Sequence, residues 1–222
     1  MKTLIIVPAY NEEKNIPKLV ESLNNYPYDF LIVNDCSTDN TKALLVEMKL
    51  NHLNLPNNMG LAGVTQMGFK YAYDYGYNAA IVLDGDGQHK PEYIEPVLAK
   101  IEEGYDYVVG SRFKEKKQPW NLRMVGSRLI QSLIRIKTGT KVTDPTSGMR
   151  AVGNELISEF ARSMNFVAEP DALTYALHAG FKVTEVQVEM DDRNDGSSFF
   201  SNPFNSMRFM INVCMSILFI QW

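Results

Sequence analysis

Cysteine and histidine, the residues of disulfide frameworks and metal cages, are scarce in this chain. Its 222 residues hold two cysteines, Cys36 and Cys214, far apart in sequence. That excludes a disulfide scaffold and fits a reducing compartment. The three histidines, His52, His89 and His178, show no zinc-ligand spacing. Charge of one sign is also lacking. A net charge of −4 offers no electrostatic footprint for a nucleic acid. The run that follows Met1-Lys2 is too short for the apolar region of a secretion signal. The most apolar stretch, residues 207–222, is interrupted by Arg208, Asn212, Ser216 and Gln221. It falls short of the roughly 20 apolar residues a membrane span needs. Internal repeats and low-complexity tracts are missing as well.

What is present suffices for a substantial core, with 45% hydrophobic residues, in one large domain or a domain with a small appendage. Short apolar runs alternate with helical patterns. Residues 4–7, 30–33, 52–55, 79–83 and 107–109 read as strands. Residues 17–24, 61–75 and 91–103 read as helices, as does a segment ending at Met48 that Thr38 or Asp39 can cap. This order predicts an α/β/α sandwich with a mainly parallel sheet. Ligands of such sheets bind at the carboxyl ends of the strands. Beyond Gly110 a charged loop, residues 114–117, leads to a basic helix over 122–137. A polar loop follows at 144–148, then a helix over 169–179 and a strand over 182–188.

The most informative segment is Asp84-Gly85-Asp86-Gly87-Gln88-His89, where an apolar strand ends in two carboxylates one residue apart. Asp and Gly also make ordinary turns. Asp84, Asp86, Gln88 and Glu95 even match positions one, three, five and twelve of a calcium loop, but His89 stands where that loop needs glycine. Mg²⁺ is commonly held by one or two carboxylates together with substrate phosphates. A strand-end Asp-x-Asp therefore points to a metal-bridged nucleoside diphosphate.

Other motifs accompany it. Val7-Pro8-Ala9-Tyr10-Asn11-Glu12 ends the first strand and Asn34-Asp35-Cys36-Ser37-Thr38-Asp39 the second. Asn58-Met59-Gly60-Leu61-Ala62-Gly63 opens the third helix, and Gly110-Ser111-Arg112-Phe113 and Asp144-Pro145-Thr146-Ser147-Gly148-Met149-Arg150 come later. In this order and spacing the chain resembles family-2 glycosyltransferases of the GT-A fold, and among them the dolichyl- and polyprenyl-phosphate sugar synthases. The resemblance runs from Met1 to about Ser198. It implies that Pro8, Tyr10, Glu12 and Asp35 contact the nucleoside, an aromatic face serving the base and carboxylates the ribose hydroxyls and ring N–H. It places Asp84 at the sugar and ribose, and Asp84, Asp86 and Gln88 around Mg²⁺ or Mn²⁺. Arg112, Arg123, Ser127 and Arg128 would handle phosphate, including that of the acceptor, and Arg193 the donor diphosphate, because guanidinium matches phosphate oxygens bidentately.

Asp144 and Asp171 are the candidate catalytic acids. Asp144 would lie near the reaction centre, orienting the nucleophile or taking its proton. Asp171 stands where many relatives carry a general base, although Glu169-Pro170-Asp171 alters their motif. The leading expectation is inverting transfer from a nucleotide sugar to a polyprenyl phosphate at the inner face of the cell membrane. The alternative is a glycan or protein hydroxyl acceptor, which needs a general base. A sugar-phosphate nucleotidylyltransferase is a distant third, since residues 8–12 lack the Gly-rich loop that cradles a triphosphate. The run Gly196-Ser197-Ser198-Phe199 lacks the lysine common in mannose-transferring relatives. Residues 1–200 are read as the catalytic domain and 201–222 as an apolar helix. That helix either packs on the core or lies in a membrane interface, with Phe204, Phe209, Phe219 and Trp222 as anchors; a homodimer is a further use for such a surface.

Overall fold

The strand-forming runs become one sheet in the computed structural model, which describes residues 1–120, 122–162, 169–191 and 203–219, with side chains for all of these except 122, 123, 203–207 and 209. Among the described residues the sheet has seven strands: β1 (Thr3–Ala9), β2 (Asp29–Asn34), β3 (His52–Asn54), β4 (Ala79–Val82), β5 (Tyr107–Ser111), β6 (Arg150–Gly153) and β7 (Val183–Gln187). Their spatial order is β3-β2-β1-β4-β6-β5-β7. Every pairing is parallel except those of β6, which runs antiparallel between β4 and β5.

The central strands are apolar throughout because both sheet faces are covered. Successive side chains point to opposite faces. Leu4 and Ile6 of β1 therefore enter one core with Leu31, Val33, Ala80 and Val82, while Ile5 and Val7 enter the other with Ile32 and Ile81. Helices α1 (Ile16–Leu23), α2 (Thr41–Glu47) and α4 (Ile94–Glu102) cover the second face. Helices α3 (Gly60–Asp74), α5 (Leu122–Thr138), α6 (Asn154–Arg162), α7 (Glu169–His178) and α8 (Pro203–Phe219) contribute to the first. The N-cap of α2 is Asn40 rather than Thr38 or Asp39 and makes no side-chain cap bond, while the Asp39 carboxylate, one residue earlier, accepts the Thr41 N–H at 2.9 Å.

The expected elements form within one or two residues of their predicted ends, and a 3₁₀ turn, Pro91–Tyr93, precedes α4. Two elements had no counterpart in the sequence reading: β6 and α6. Four residues, Arg-Ala-Val-Gly, are too few to show a period, and burial of Ala151 and Val152 on both faces removes any polar alternation. The consequence for the site is large. Because β6 is antiparallel, the loop that precedes it lies at the same edge as the carboxyl ends of β4 and β5. Arg150 pairs in register with both Val82 and Val109, so residues 144–149 sit beside the ends of those strands. The chain also changes direction at β1, whose neighbours β2 and β4 lie on opposite sides. That is the switch point at which open α/β sheets hold ligands.

Helix α3 lies close on β1 at Gly68, where an added methyl would stand 2.4 Å from Cγ2 of the fully buried Ile6. On helix propensity alone Gly68→Ala would stabilise by about 0.5–1 kcal/mol. The overlap outweighs that gain, and a net loss of about 1–3 kcal/mol is expected, the cost of overpacking a filled core. Denaturant unfolding of the variant checks the sign.

Candidate active site

Four loops meet at the carboxyl edge of the sheet. The two after β1 and β2 are stitched together: Asn11 Oδ1 accepts the Thr38 N–H at 2.8 Å, and the Asn11 N–H donates to Ser37 Oγ at 2.9 Å. Asn11 and Cys36 both adopt left-handed backbone, with φ of 57° and 58°. Asn tolerates that region, but Cys36 is held in a costly conformation of the kind that clusters at functional sites. Tyr10 is about half exposed at 48%, open to a stacking ligand. Glu12 is buried, and its carboxylate accepts the Asn15 amide at 2.6 Å. Asp35 is buried and caps α3, one oxygen accepting the Met59 N–H at 2.7 Å and the other the Gly60 N–H at 2.9 Å. An ionised carboxylate has about four lone-pair positions, so two remain for a ligand.

The loop after β4 folds tightly against β1. The Gly85 N–H donates to Pro8 O at 3.2 Å, and a methyl on Gly85 would stand 2.6 Å from that oxygen. Asp86 is buried and its Oδ1 accepts the Gln88 N–H at 3.0 Å, a local turn that Gly87 completes at φ +75°. Gln88 is tied to the far end of the chain, its Nε2 donating to Asp191 O at 3.3 Å. The Asp84 side chain keeps 27% of its surface exposed.

His89 has a role that sequence reasoning missed. It is 1% exposed, and its Nδ1 accepts the Asp84 backbone N–H at 3.1 Å. In the neutral ring the proton then resides on Nε2, which has no partner among the described residues. Nδ1 lies 3.5 Å from Asp84 Oδ2, but an accepting nitrogen cannot also donate to it. The contact is therefore not a hydrogen-bonded ion pair. Gly148 closes the arrangement, since a methyl there would stand 2.5 Å from Asp84 Oδ2 and 3.0 Å from His89 Cε1.

Asp144 is fully buried and receives a bidentate grip from Arg112, Nε to Oδ2 at 2.7 Å and Nη2 to Oδ1 at 2.8 Å, with the Arg112 N–H adding a third bond at 3.1 Å. Burial disfavours the Arg112 charge, but the hydrogen bonds and charge of Asp144, and the charge of Asp84 beyond, outweigh it and hold the guanidinium above its ordinary pKa. Glu185 of β7, also absent from the sequence reading, anchors the loop by accepting the N–H groups of Thr143 at 2.9 Å and Asp144 at 3.1 Å. A lone Glu in a strand gives no signal of such a task.

The remaining predicted residues lie on α5 and α7 or outside the described residues. On α5, Ser127 is buried with an unpartnered hydroxyl among the described residues. Arg128 Nη2 donates to Gln118 O and Pro119 O at 3.1 and 3.2 Å, and its guanidinium stacks 4.1 Å from the centre of the Trp120 ring. Its Nη1 is buried without a hydrogen-bond partner among the described residues. Asp171 is fully buried in the first turn of α7. Burial, and then the charge of Asp171, raise the pKa of Cys214 on α8. Arg193 and the side chain of Arg123 lie outside the described residues.

Among the described residues no three His, Cys, Asp or Glu side chains converge as a metal cage. Asp84, Asp86 and Gln88 nevertheless fit a hard divalent cation: all offer oxygen, the Asp84 side chain is partly open, and substrate phosphates can complete the shell.

Residues 4–160 match the family described as Glycosyl transferase family 2. The chain belongs to that family. It is a glycosyltransferase that uses nucleotide sugars. It is 35% identical over 210 residues to the UDP-N-acetylglucosamine–dolichyl-phosphate N-acetylglucosaminyltransferase of Methanococcus voltae, covering 83% of this chain and 84% of the relative. It is 29% identical over 216 residues to the polyprenol monophosphomannose synthase of Mycolicibacterium smegmatis, covering 90% and 81%. Among solved structures it resembles glucosyl-3-phosphoglycerate synthase of Mycobacterium tuberculosis in complex with Mn²⁺, UDP and phosphoglyceric acid, with a TM-score of 0.76 at 16% identity over 99% of this chain and 79% of that one. Another complex of that synthase holds Mg²⁺ and UDP. The fold is GT-A, as the motifs implied.

Two variants test this glycosyltransferase site. Gly148→Ala should lower kcat/KM by about 10²-fold, the scale of an ångström-sized misplacement of a reacting group, and steady-state kinetics with the native donor reads it. Asp144→Ala strands the Arg112 charge, and denaturant unfolding should show a loss of about 3–5 kcal/mol.

Proposed function

We propose that the chain transfers a sugar from a nucleoside-diphosphate donor, UDP being preferred, to a polyprenyl phosphate at the cytoplasmic face of a membrane, with inversion at the anomeric carbon. One observation carries this reading: neither candidate base is offered to a substrate hydroxyl. Asp144 has both oxygens on Arg112, and Asp171 is fully buried. A hydroxyl acceptor must lose a proton and needs a base within hydrogen-bond reach. A phosphate is already ionised near neutral pH and needs none. The buried Ser127 hydroxyl and Arg128 Nη1 are suited to an anion, and Arg123 on the same helix would join them. The names of the Methanococcus and Mycolicibacterium relatives, which specify dolichyl phosphate and polyprenol, support the same acceptor class.

In the proposed reaction an acceptor phosphate oxygen attacks the sugar's anomeric carbon opposite the leaving group. The bond from that carbon to the β-phosphate oxygen breaks, and its electron pair leaves with the nucleoside diphosphate. Pro8, Tyr10, Glu12 and Asp35 would hold the nucleoside, Asp84 the ribose and sugar. Asp144 orients Arg112 toward the phosphates rather than accepting a proton, and Arg193 would reinforce it. A divalent cation held by Asp84, Asp86 and Gln88 would supply Lewis-acid stabilisation of the departing charge. Gly148 and His89 keep the Asp84 carboxylate in place.

The test is a partition assay in detergent with Mg²⁺, undecaprenyl phosphate and labelled UDP- and GDP-sugars. Label should enter the organic phase, and Asp86→Ala or a chelator should reduce it by about 10²-fold or more, given the several kcal/mol a metal contributes to such a transition state. Label confined to the aqueous phase overturns the lipid acceptor.

A further inference from the structure

The segment that leaves β7 ties itself to the loop carrying Asp84, Asp86 and Gln88. Its first link is to the end of β5, where the Val188 N–H donates to Ser111 O at 2.9 Å. Glu189 pairs with Lys116 in the loop that follows β5. Met190 then forms an isolated antiparallel bridge with His89. Asp191 completes the tie through three contacts. Its N–H donates to Gln88 O at 3.0 Å, its carbonyl accepts Gln88 Nε2 at 3.3 Å, and its carboxylate stands 3.2 Å from Lys90 Nζ.

Gln88 is thereby held at every polar group but one. Its own N–H donates to Asp86 Oδ1 at 3.0 Å. Its main-chain carbonyl and its amide nitrogen both meet Asp191, while Oε1 accepts no hydrogen bond from a described residue. The partner fixes which way the amide lies. A main-chain carbonyl can only accept, so a flipped amide would set two oxygens against each other. The nitrogen therefore faces Asp191, and the oxygen is left for another partner. Oxygen is what a hard divalent cation takes. Hydrogen bonds beyond the metal commonly hold its ligands in orientation. A glutamate in this place would offer oxygen but no donor for Asp191.

The ion pair at the same seam is a lesser part of the tie. The Lys90 and Asp191 side chains are 30% and 59% exposed, and exposed pairs of this kind contribute little. A lysine is also no help to a neighbouring cation. The two main-chain groups of Asp191 are what reach Gln88 directly.

We infer that Asp191 is a positioning residue for the cation: its main-chain N–H and carbonyl grip Gln88 so that Oε1 is presented to the metal. Position 88 is then a glutamine because one side chain must both coordinate and donate. This role rests on the cation reading of the site given above.

The experiment measures Mn²⁺ binding to the full chain at saturating UDP, read by loss of the free-ion electron paramagnetic resonance signal. Amide exchange over residues 188–191 is followed separately in the metal-free protein. Gln88→Glu keeps the ligand oxygen and adds a negative charge. If Gln88 served only as an oxygen ligand, Mn²⁺ would bind this variant more tightly. It should instead bind about tenfold or more weakly, the scale of losing a partner that orients a ligand. Exchange over residues 188–191 should quicken, because a carboxylate repels Asp191 O. Asp191→Pro leaves Asp84, Asp86 and Gln88 in place but removes the N–H given to Gln88. Met190, paired strand-fashion with His89, suits a following proline. Mn²⁺ should again bind about tenfold or more weakly, with the melting temperature and the metal-free affinity for UDP unchanged in both variants. A Gln88→Glu chain that binds Mn²⁺ as tightly as wild type or more so, or an Asp191→Pro chain that matches wild type, overturns the inference. So does a parallel loss of metal-free UDP affinity, which marks a general disturbance of the site. A wild-type chain that takes up no Mn²⁺ overturns the cation reading together with this role, whereas wild-type uptake that the variants share overturns this role alone.

Discussion

The Asp144–Arg112 pair is the contact on which the site depends. It joins the end of β5 to the loop before β6, two segments more than thirty residues apart in sequence, across a boundary that buries Asp144 completely. Burying a charge is tolerable only with a partner and full hydrogen bonding. Two bonds from the guanidinium and one from the Arg112 backbone meet that demand, and Glu185 holds the loop from the other side. The same contact aims a cation at the sheet edge where Asp84 ends β4. Both oxygens of a residue expected at the reaction centre are thus engaged by an arginine.

Close approach is the second constraint. Gly85 lets the Asp-x-Asp loop lie on the β1 carbonyl, and Gly148 lets the next loop lie on Asp84 and His89. These glycines are needed for space rather than for unusual backbone angles. His89 accepts the Asp84 N–H from within the protein, so the start of the Asp-x-Asp loop is held by a buried ring behind it.

The apolar C-terminus has two different faces. In α8 Val213, Ser216 and Ile217 are buried while Ile211, Met215 and Phe219 are exposed. A helix apolar on both sides has little amphipathic contrast, which is why a periodicity test passes over it.

Much of the architecture was legible in the amino-acid order. Apolar runs of strand length, helical spacing and punctuation by Asp, Asn and Gly specified six of the described strands and most helices, because those signals are local. The motifs at strand ends, taken together in their order and spacing, carried the resemblance to the family, although an Asp-x-Asp alone is also an ordinary turn. Tertiary structure alone decided the rest. The antiparallel insertion of β6 carries residues 144–149 to the active edge. Partners distant in sequence turn Asp144 into an anchor for Arg112, make Asp35 the cap of α3, and bury Asp171. Local pattern records what a residue is able to do; which partner reaches it first is settled by how the sheet is ordered, and that order is a property of the packed whole.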